Sequence, residues 1–184
     1  MADAKRGDIG NSARFYASAV FEDLGCDACT VSPYMGADSI QPFLAFPGRA
    51  AYVLVRTSNP GATELQELPV GNRPLYLEAA RQIVRWSGGQ PGEAGFVVGA
   101  TNAAPIQSVR EAHPDVPLLI PGVGAQGGDA DAVLDAVAEG NGPVLINSSR
   151  QIIYASSGTD FAEAAAREAD HVRGMLQPRA RTAG

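Results

Sequence analysis

The chain has 184 residues, of which 45% are hydrophobic and 18% charged, a composition typical of a folded domain and not of a disordered segment. Its net charge of -6 argues against nucleic-acid binding, because no basic stripe offsets it. Since the chain has neither the ~18-residue apolar run that crosses a bilayer nor an apolar N-terminal signal segment, we expect a cytoplasmic protein that contacts no membrane.

Short apolar runs alternate with longer segments of helical periodicity. Beyond a first strand around Asp3, strands are predicted at Ala28–Ser32, Ala51–Thr57, Gly95–Thr101, Pro117–Val123 and Pro143–Ser148. Several of these runs are apolar without alternation, which is typical of parallel strands covered on both faces. Helices are predicted between and after them at Ser12–Leu24, Asp38–Phe46, Pro74–Ser87, Ala104–Ala112, Asp129–Glu139 and Asp160–Leu176.

Repeated strand–helix units indicate a right-handed parallel α/β fold, either a doubly wound sheet or a (β/α)8 TIM barrel. About six units are present, fewer than the eight of a complete barrel. Polar or glycine-rich motifs follow several strands, and such a ring of loops favours the barrel. We expect one incomplete barrel domain over residues 1–176 and a loose tail over 177–184. The predicted core face of the last helix contains Phe161, Ala164, Ala165, Val172 and Leu176.

The first residues contain a dense cluster of charge. Asp3 and Lys5 are two residues apart, so on a strand both side chains point to the same face. Asp8 follows three residues later, where the strand gives way to a loop. Two acids and a lysine at this spacing indicate either a catalytic group or ordinary surface charge.

A glycine-rich run follows the predicted strand that ends near Pro121. Glycines let the backbone approach an anion closely, and Gln126 is the one long polar side chain in the run from Pro121 to Asp129. Arg150 follows the last strand, and loops after the last two strands of a barrel commonly bind phosphate. The run matches neither the dinucleotide fingerprint nor a P-loop, and a flexible turn remains the alternative.

Two further motifs each allow a structural and a functional interpretation. Ser58, in the run Thr57-Ser-Asn-Pro-Gly61, could hydrogen-bond a ligand amide, although Asn-Pro-Gly alone explains a turn. Cys26 and Cys29 have the spacing of a redox motif or half a zinc site. Because no second ligand pair accompanies them, two buried reduced thiols are the other interpretation.

These motifs together resemble one family. Orotidine 5'-phosphate decarboxylases of the longer bacterial type contain, in this order, Asp3-Ala-Lys-Arg-Gly-Asp8, Thr57-Ser-Asn-Pro-Gly61, Val98-Gly-Ala-Thr101, the run from Leu119 to Asp129, and Asn147-Ser-Ser-Arg150. Ser32-Pro-Tyr-Met-Gly36 is similar as well. The resemblance covers the chain up to about Leu176 and implies a TIM barrel, without cofactor or metal, that works as a homodimer with shared active sites.

The resemblance also implies a reaction and residue roles. The family converts orotidine 5'-monophosphate to UMP and carbon dioxide, the last step of de novo pyrimidine biosynthesis. Lys5 would protonate the pyrimidine carbon, Asp3 would lie beside the departing carboxylate, and Asp8 would reach the partner subunit's site. The resemblance further implies substrate-binding roles, for Ser12 at the ribose, Ser58 at the pyrimidine, Gln126 between base and phosphate, Arg150 at the phosphate, and Pro121.

The chain departs from the family's pattern at its start. In the family, the Asp3–Lys5 motif normally lies on the third strand, after an aspartate and a lysine on the first two strands that hold the ribose. No segment here resembles those two units, so we expect a fragment or a misplaced gene start. We therefore expect that this chain alone does not decarboxylate orotidine 5'-monophosphate at a useful rate.

Two other functions remain open from the sequence. One is a metal-dependent sugar-phosphate decarboxylase or synthase of the same barrel group, which shares the Asp-x-Lys-x-x-Asp cluster. Gln126 and the loop at Ser58 favour the nucleotide enzyme over it. The other is a non-catalytic phosphate-binding subunit.

Overall fold

The computed structural model describes residues 1–124 and 128–177. Its strands are β1 Ala2–Arg6, β2 Ala28–Val31, β3 Ala50–Arg56, β4 Pro69–Val70, β5 Arg73–Pro74, β6 Glu93–Val98, β7 Leu118–Pro121 and β8 Val144–Asn147. Its α-helices are α1 Gly10–Ser18, α2 Gln41–Leu44, α3 Ala62–Leu65, α4 Leu75–Ser87, α5 Ala103–Ala112, α6 Ala130–Val137, α7 Arg150–Ile153 and α8 Phe161–Met175. A π-helical turn at Ala19–Asp23 extends α1, and a 3-10 turn at Ala37–Ser39 precedes α2.

Six strands form one parallel sheet in the order β1-β2-β3-β6-β7-β8. Spatial order follows chain order throughout, whereas a doubly wound sheet reverses at a switch point. With helices between its strands, the sheet is a curled half-barrel of the TIM type. The sequence-based prediction of an incomplete TIM barrel is confirmed. All six strands end at the same edge, so the loops that follow them are neighbours in space.

The two faces of the sheet are covered differently. The convex face packs against the helices and forms the main core, which includes Val31, Val53, Phe96, Ile120 and Phe43. The concave face carries a smaller apolar cluster of Ala28, Tyr52, Val97 and Leu119. Since side chains alternate along a strand, both faces of each central strand are apolar.

Helix ends follow the expected signals at several positions. The side chain of Asp129 accepts hydrogen bonds from the backbone N–H groups of Asp131 and Ala132, and so caps α6 at the residue where that helix was predicted to begin. Helix α4 ends at Ser87 before two glycines, also as predicted. In the part of the chain that the structure describes, no helix is both long and apolar enough to cross a membrane.

Several predicted elements were wrong in detail. The single helix expected over Asp38–Phe46 is a 3-10 turn followed by the short α2, because Pro42 lacks an N–H and stands in the first turn of a new helix. Phe161 is 62% exposed although it shares a helix face with the buried Ala164 and Val172, because it is the first residue of α8. The antiparallel pair β4–β5, in the loop after β3, was not predicted. Of the expected tail, residues 178–184 lie outside the described residues.

One buried arginine ties together the strand ends opposite the candidate site. Arg110 of α5 is 2% exposed. Its guanidinium donates to the carbonyl oxygens of Pro114 at 2.8 Å, Val116 at 2.9 Å and Gly142 at 3.1 Å. These carbonyls belong to the loops that lead into β7 and β8, so Arg110 fixes the starting points of both strands.

We expect Arg110→Met to lower the free energy of unfolding by about 2–5 kcal/mol, because three buried carbonyl oxygens lose their donor. Urea denaturation of the purified chain measures the difference. Arg81→Met is the control, since Arg81 forms an exposed ion pair with Glu78, and exposed ion pairs contribute little to stability. Equal effects of the two substitutions would contradict the role assigned to Arg110.

Candidate active site

The ammonium of Lys5 and the carboxylate of Asp3 form an ion pair at the start of the chain. Lys5 Nζ lies 2.5 Å from Asp3 Oδ1 and 2.6 Å from Asp3 Oδ2. Ala2 and Ala4, the alternate residues of β1, pack against the main core instead. The charged pair therefore stands on the concave side of the sheet, with side chains 52% and 65% exposed.

The strand that carries this pair is irregular. Ala2 pairs with Cys29 and Arg6 pairs with Val31, so three residues of β1 oppose the single residue Thr30 of β2. Lys5 has a φ of 45°, in the left-handed region that non-glycine residues rarely occupy. The bulge thus includes both Asp3 and Lys5, the two charged residues that the sequence singles out.

A buried hydroxyl of β2 connects both members of the pair. Thr30 Oγ1 accepts a hydrogen bond from the backbone N–H of Lys5 at 2.9 Å and donates one to Asp3 Oδ1 at 2.9 Å. Partial burial raises the pKa of Asp3, but the hydrogen bonds from Lys5 and Thr30 and the lysine charge outweigh it, and the pKa lies below its usual value. Asp3 is therefore ionised at neutral pH.

Asp8 and Ser12 lie beyond β1, where the chain turns into α1. Asp8 Oδ1 accepts a hydrogen bond from the backbone N–H of Ile9 at 2.8 Å. Ser12 is an exposed residue of α1. Within this chain Lys5 forms its ion pair with Asp3, whereas Asp8 stands past the end of β1.

The loop after β3 is braced by side chains that the sequence did not single out. Arg56, 7% exposed, forms an ion pair with Glu67 at 2.7 Å. The backbone N–H of Thr57 donates to Gln66 Oε1 at 2.8 Å, and Gln66 Nε2 donates to Thr57 Oγ1 at 2.9 Å. Ser58 follows directly, so both braces fix the backbone next to it.

Ser58 also lies against the end of the next strand. A Cβ atom added to Gly99, just after β6, would come within 2.8 Å of Ser58 Cβ and of the Ser58 backbone N. Only a residue without a side chain allows this approach. In the sequence, Gly99 stands out only as part of the run Val98-Gly-Ala-Thr101. Nothing in that run indicates that the glycine contacts Ser58.

The glycine-rich loop begins at the end of β7 and packs on the same strand end. Ala100 donates its backbone N–H to the carbonyl of Pro121 at 2.9 Å, and a Cβ atom on Gly128 would come within 2.7 Å of Ala100 Cβ. Gly124 donates its N–H to the carbonyl of Gly128 at 3.0 Å, which closes the base of the loop. Gln126 lies outside the described residues.

Arg150 is the first residue of α7 and is exposed. Its neighbour Gln151 places its side-chain oxygen where a Cβ atom of Gly124 would stand. The loops after β7 and β8 therefore touch each other, as their predicted joint role requires. Pro121, Gly124 and Arg150 lie at one edge of the sheet, the edge at which β1 carries Asp3 and Lys5.

The cysteine pair is split between two environments. Cys29 is buried in β2, and burial raises the pKa of its thiol to about 11. Cys26 is partly exposed and also free, so the expectation of two buried thiols holds for Cys29 alone. A thiol with this pKa is protonated at neutral pH and is a poor nucleophile. Within residues 1–124 and 128–177, no group of three His, Cys, Asp or Glu side chains is arranged to hold a metal ion.

Fold and site together define a class: a parallel half-barrel with an aspartate–lysine pair at the carboxyl end of a strand and glycine-rich loops along the same edge. Residues 1–167 match the model of the orotidine 5'-phosphate decarboxylase / HUMPS family. The chain belongs to this family.

Individual relatives agree with the family match. The chain is 51% identical over 178 residues to the orotidine 5'-phosphate decarboxylase of Polaromonas naphthalenivorans, across 95% of this chain and 63% of the relative. It is 50% identical over 180 residues to that of Delftia acidovorans, across 95% and 65%. The OMP decarboxylase structure from Leishmania donovani superimposes with a TM-score of 0.77 and 37% identity, across 96% of this chain and 68% of that chain. The chain thus spans a little under two thirds of the length of these curated relatives.

We expect Gly99→Ala to lower the free energy of unfolding by about 1–3 kcal/mol, because the new methyl group displaces the backbone at Ser58. Amide NMR spectra should show the shifts concentrated in residues 57–67. Gly174→Ala is the matched control: this helical glycine has nothing within 4 Å of its added Cβ, and alanine there should stabilise the chain by up to about 1 kcal/mol. Unchanged resonances at Ser58 in Gly99→Ala would refute the close approach.

Proposed function

We propose that this chain, as one incomplete barrel domain over residues 1–176, carries the catalytic strand and much of the substrate site of an orotidine 5'-phosphate decarboxylase. The observation that carries the proposal is the Lys5–Asp3 ion pair, with Nζ 2.5 Å from the carboxylate, on the strand whose motif the family shares. The substrate would be orotidine 5'-monophosphate, and the products UMP and carbon dioxide.

In the proposed reaction, the bond between the pyrimidine ring and its carboxylate breaks, and carbon dioxide leaves. The electron pair of that bond stays on the ring carbon, which then takes a proton from the Lys5 ammonium. No external oxidant or reductant is needed, because the proton takes the place of the carboxylate on the ring carbon and no electrons are gained or lost. A positive charge fixed next to the developing carbanion stabilises it more than it stabilises the substrate. Asp3 holds the ammonium in place.

The remaining residues would bind the parts of the substrate that do not react. Ser58 would hydrogen-bond the pyrimidine, Arg150 the phosphate, and Gln126 would bridge base and phosphate, while Pro121 would line the base. The contact between Gly124 and Gln151 supports a joint phosphate site of the two loops. Binding of the distant phosphate would then contribute to catalysis by closing the glycine-rich loop.

A homodimer with shared sites is part of the proposal. Asp8 lies in the turn from β1 into α1 and Ser12 on the exposed surface of α1, and both would serve the ribose in the partner's site. Exposed apolar side chains of Ile9 and Phe15, 51% and 74% exposed, lie beside them and would be covered by the partner. We further propose a cytoplasmic location and a reaction without cofactor.

The activity is tested in a hybrid that joins residues 1–184 to the part of the Polaromonas relative that this chain does not match. We expect UMP formation that EDTA does not reduce, and a loss of at least about 10³-fold for Lys5→Ala, because the ammonium that would stabilise and protonate the ring carbon is removed. Absorbance of the pyrimidine follows the reaction. The 184-residue chain is assayed alongside.

Arg49→Ala is the matched control, since Arg49 forms an exposed ion pair with Asp27 at 2.7 Å, in the loop before β3. It should leave turnover unchanged. A folded hybrid that binds UMP without forming it would refute the proposal and favour a phosphate-binding subunit. A requirement for Mg²⁺ would favour the metal-dependent sugar-phosphate enzymes.

Shared active sites are tested by mixing two inactive hybrids, Lys5→Ala and Asp8→Ala. Random exchange of subunits leaves one intact site in each mixed dimer, so turnover should recover to about a quarter of the unaltered value. Activity is measured after the subunits have been dissociated and reassociated together. Mixed dimers that stay inactive would show that Lys5 and Asp8 serve the same subunit's site.

A further inference from the structure

The described part of the chain contains four buried polar or charged side chains, those of Thr30, Ser39, Arg56 and Arg110. The hydroxyl of Ser39 lies 3.0 and 2.8 Å from the carbonyl oxygens of Ser32 and Gly36. The two arginines brace loops, as described above. The hydroxyl of Thr30 alone among these four groups hydrogen-bonds the proposed catalytic pair.

We propose that Thr30 is the positioning residue of the active site. Its hydroxyl stabilises the bulge of β1 and thereby sets the geometry of Asp3 and Lys5. The inference rests on the proposed function for its catalytic meaning. Its structural part, the control of Asp3 and Lys5 by one hydroxyl, stands on geometry that can be measured without turnover.

The first step of the argument concerns the backbone. In the bulge three residues of β1 oppose the single residue Thr30 of β2, so Lys5 is not one of the paired positions of the ladder. Its backbone N–H donates to Thr30 Oγ1 at 2.9 Å. An N–H left without a partner here would cost about 1–3 kcal/mol, so the hydroxyl stabilises the left-handed conformation of Lys5.

The second step concerns the side chains. The single hydroxyl proton of Thr30 is directed to Asp3 Oδ1 at 2.9 Å, since the oxygen is already an acceptor for Lys5. Asp3 Oδ1 also accepts from Lys5 Nζ. One hydroxyl therefore fixes both the rotation of the Asp3 carboxylate and the backbone conformation of Lys5, the two residues that form the ion pair. Thr30 lies between Cys29 and Val31, the two residues of β2 that pair with β1.

Threonine suits this role better than valine or serine, the two residues most similar to it in shape and in chemistry. Its methyl group packs like that of valine in a buried strand, and its oxygen both accepts and donates. Valine would fill the same volume with neither function. Serine would keep the hydroxyl and lose only the methyl group. These two substitutions separate the hydroxyl's role from simple packing.

The test titrates Asp3 by ¹³C NMR of its carboxyl carbon in the 184-residue chain. Thr30→Val should raise the pKa of Asp3, because the carboxylate loses a hydrogen bond, and should speed exchange of the Lys5 amide proton at least about 10-fold. Thr30→Ser should leave both close to the unaltered chain. The groups that face Asp3 are Lys5 on its own strand and, from β2, Thr30 and the Cys29 thiol, which stays protonated over this range.

Ser39→Ala is the matched control, because it also removes a buried hydroxyl with two polar neighbours. It should lower stability without moving the titration of Asp3. An Asp3 titration that is the same in Thr30→Val and in the unaltered chain would overturn the proposal. So would a shift in Thr30→Ser as large as that in Thr30→Val, since packing would then be the cause.

A measurement on the unaltered chain covers the case in which Thr30→Val does not fold. The Thr30 hydroxyl proton should give a slowly exchanging NMR signal whose chemical shift follows the titration of Asp3. A Thr30 signal that does not respond while Asp3 is protonated would overturn the proposal as well.

In the hybrid, Thr30→Val should lower kcat by about 10- to 100-fold with a smaller change in KM, because it misplaces the reacting group and not the binding loops. Thr30→Ser should restore kcat. A parallel fall of kcat in both variants would refute the positioning role. If the NMR results hold while the unaltered hybrid is inactive, the proposed function fails and the control of Asp3 and Lys5 by Thr30 remains.

Discussion

The site is arranged around the contact between the Lys5 ammonium and the Asp3 carboxylate. This contact stabilises the chain too little to maintain its own geometry. An exposed ion pair of this kind contributes only about 0–1 kcal/mol to stability. The left-handed backbone of Lys5 costs about 1 kcal/mol or more in the same place. The geometry is therefore maintained by its surroundings, above all by the buried hydroxyl of Thr30 and by Ala2 and Ala4, which anchor β1 to the core.

The rest of the fold brings loops to this pair. Because all six strands are parallel and follow chain order, their carboxyl ends share one edge. Two contacts then set the spacing between loops: Gly99 lets Ser58 approach β6, and Gly128 packs on Ala100 beside it. The turn at Gly99 and Ala100 thus lies between the loop proposed to hold the base and the loop proposed to close over it. At the opposite edge, Arg110 fixes where β7 and β8 begin.

Sequence reasoning reached the parts of the site that depend on period and position. The period of two along a strand placed Asp3 and Lys5 on one face, and the polar or glycine-rich motifs after several strands favoured the barrel over a doubly wound sheet. It did not reach the parts that depend on pairing between distant segments. Thr30 is an ordinary residue of an apolar strand until its register with β1 is known, and the bulge exists only in that register.

Other misses have the same cause. Arg56 falls in a run that indicates a buried strand, and its partner Glu67 becomes visible only when the following loop folds back. Phe161 has the right spacing for a core position, but it is the first residue of α8 and is exposed, while Ala164 and Val172 of the same predicted face are buried. The break in the predicted helix near Pro42 could have been predicted, because a proline in the middle of a helical pattern is a sequence signal for a helix boundary.

The central claim, that Lys5 stabilises negative charge on the pyrimidine carbon, is tested most directly by ligand affinity. A UMP analogue with an anionic oxygen at that carbon resembles the charge of the transition state, and such analogues bind about 10²-fold or more tighter than ground-state ligands. Calorimetry on the hybrid should show this preference over UMP, and Lys5→Ala should abolish it while UMP affinity changes little. An undiminished preference for the anionic analogue in Lys5→Ala would contradict the account.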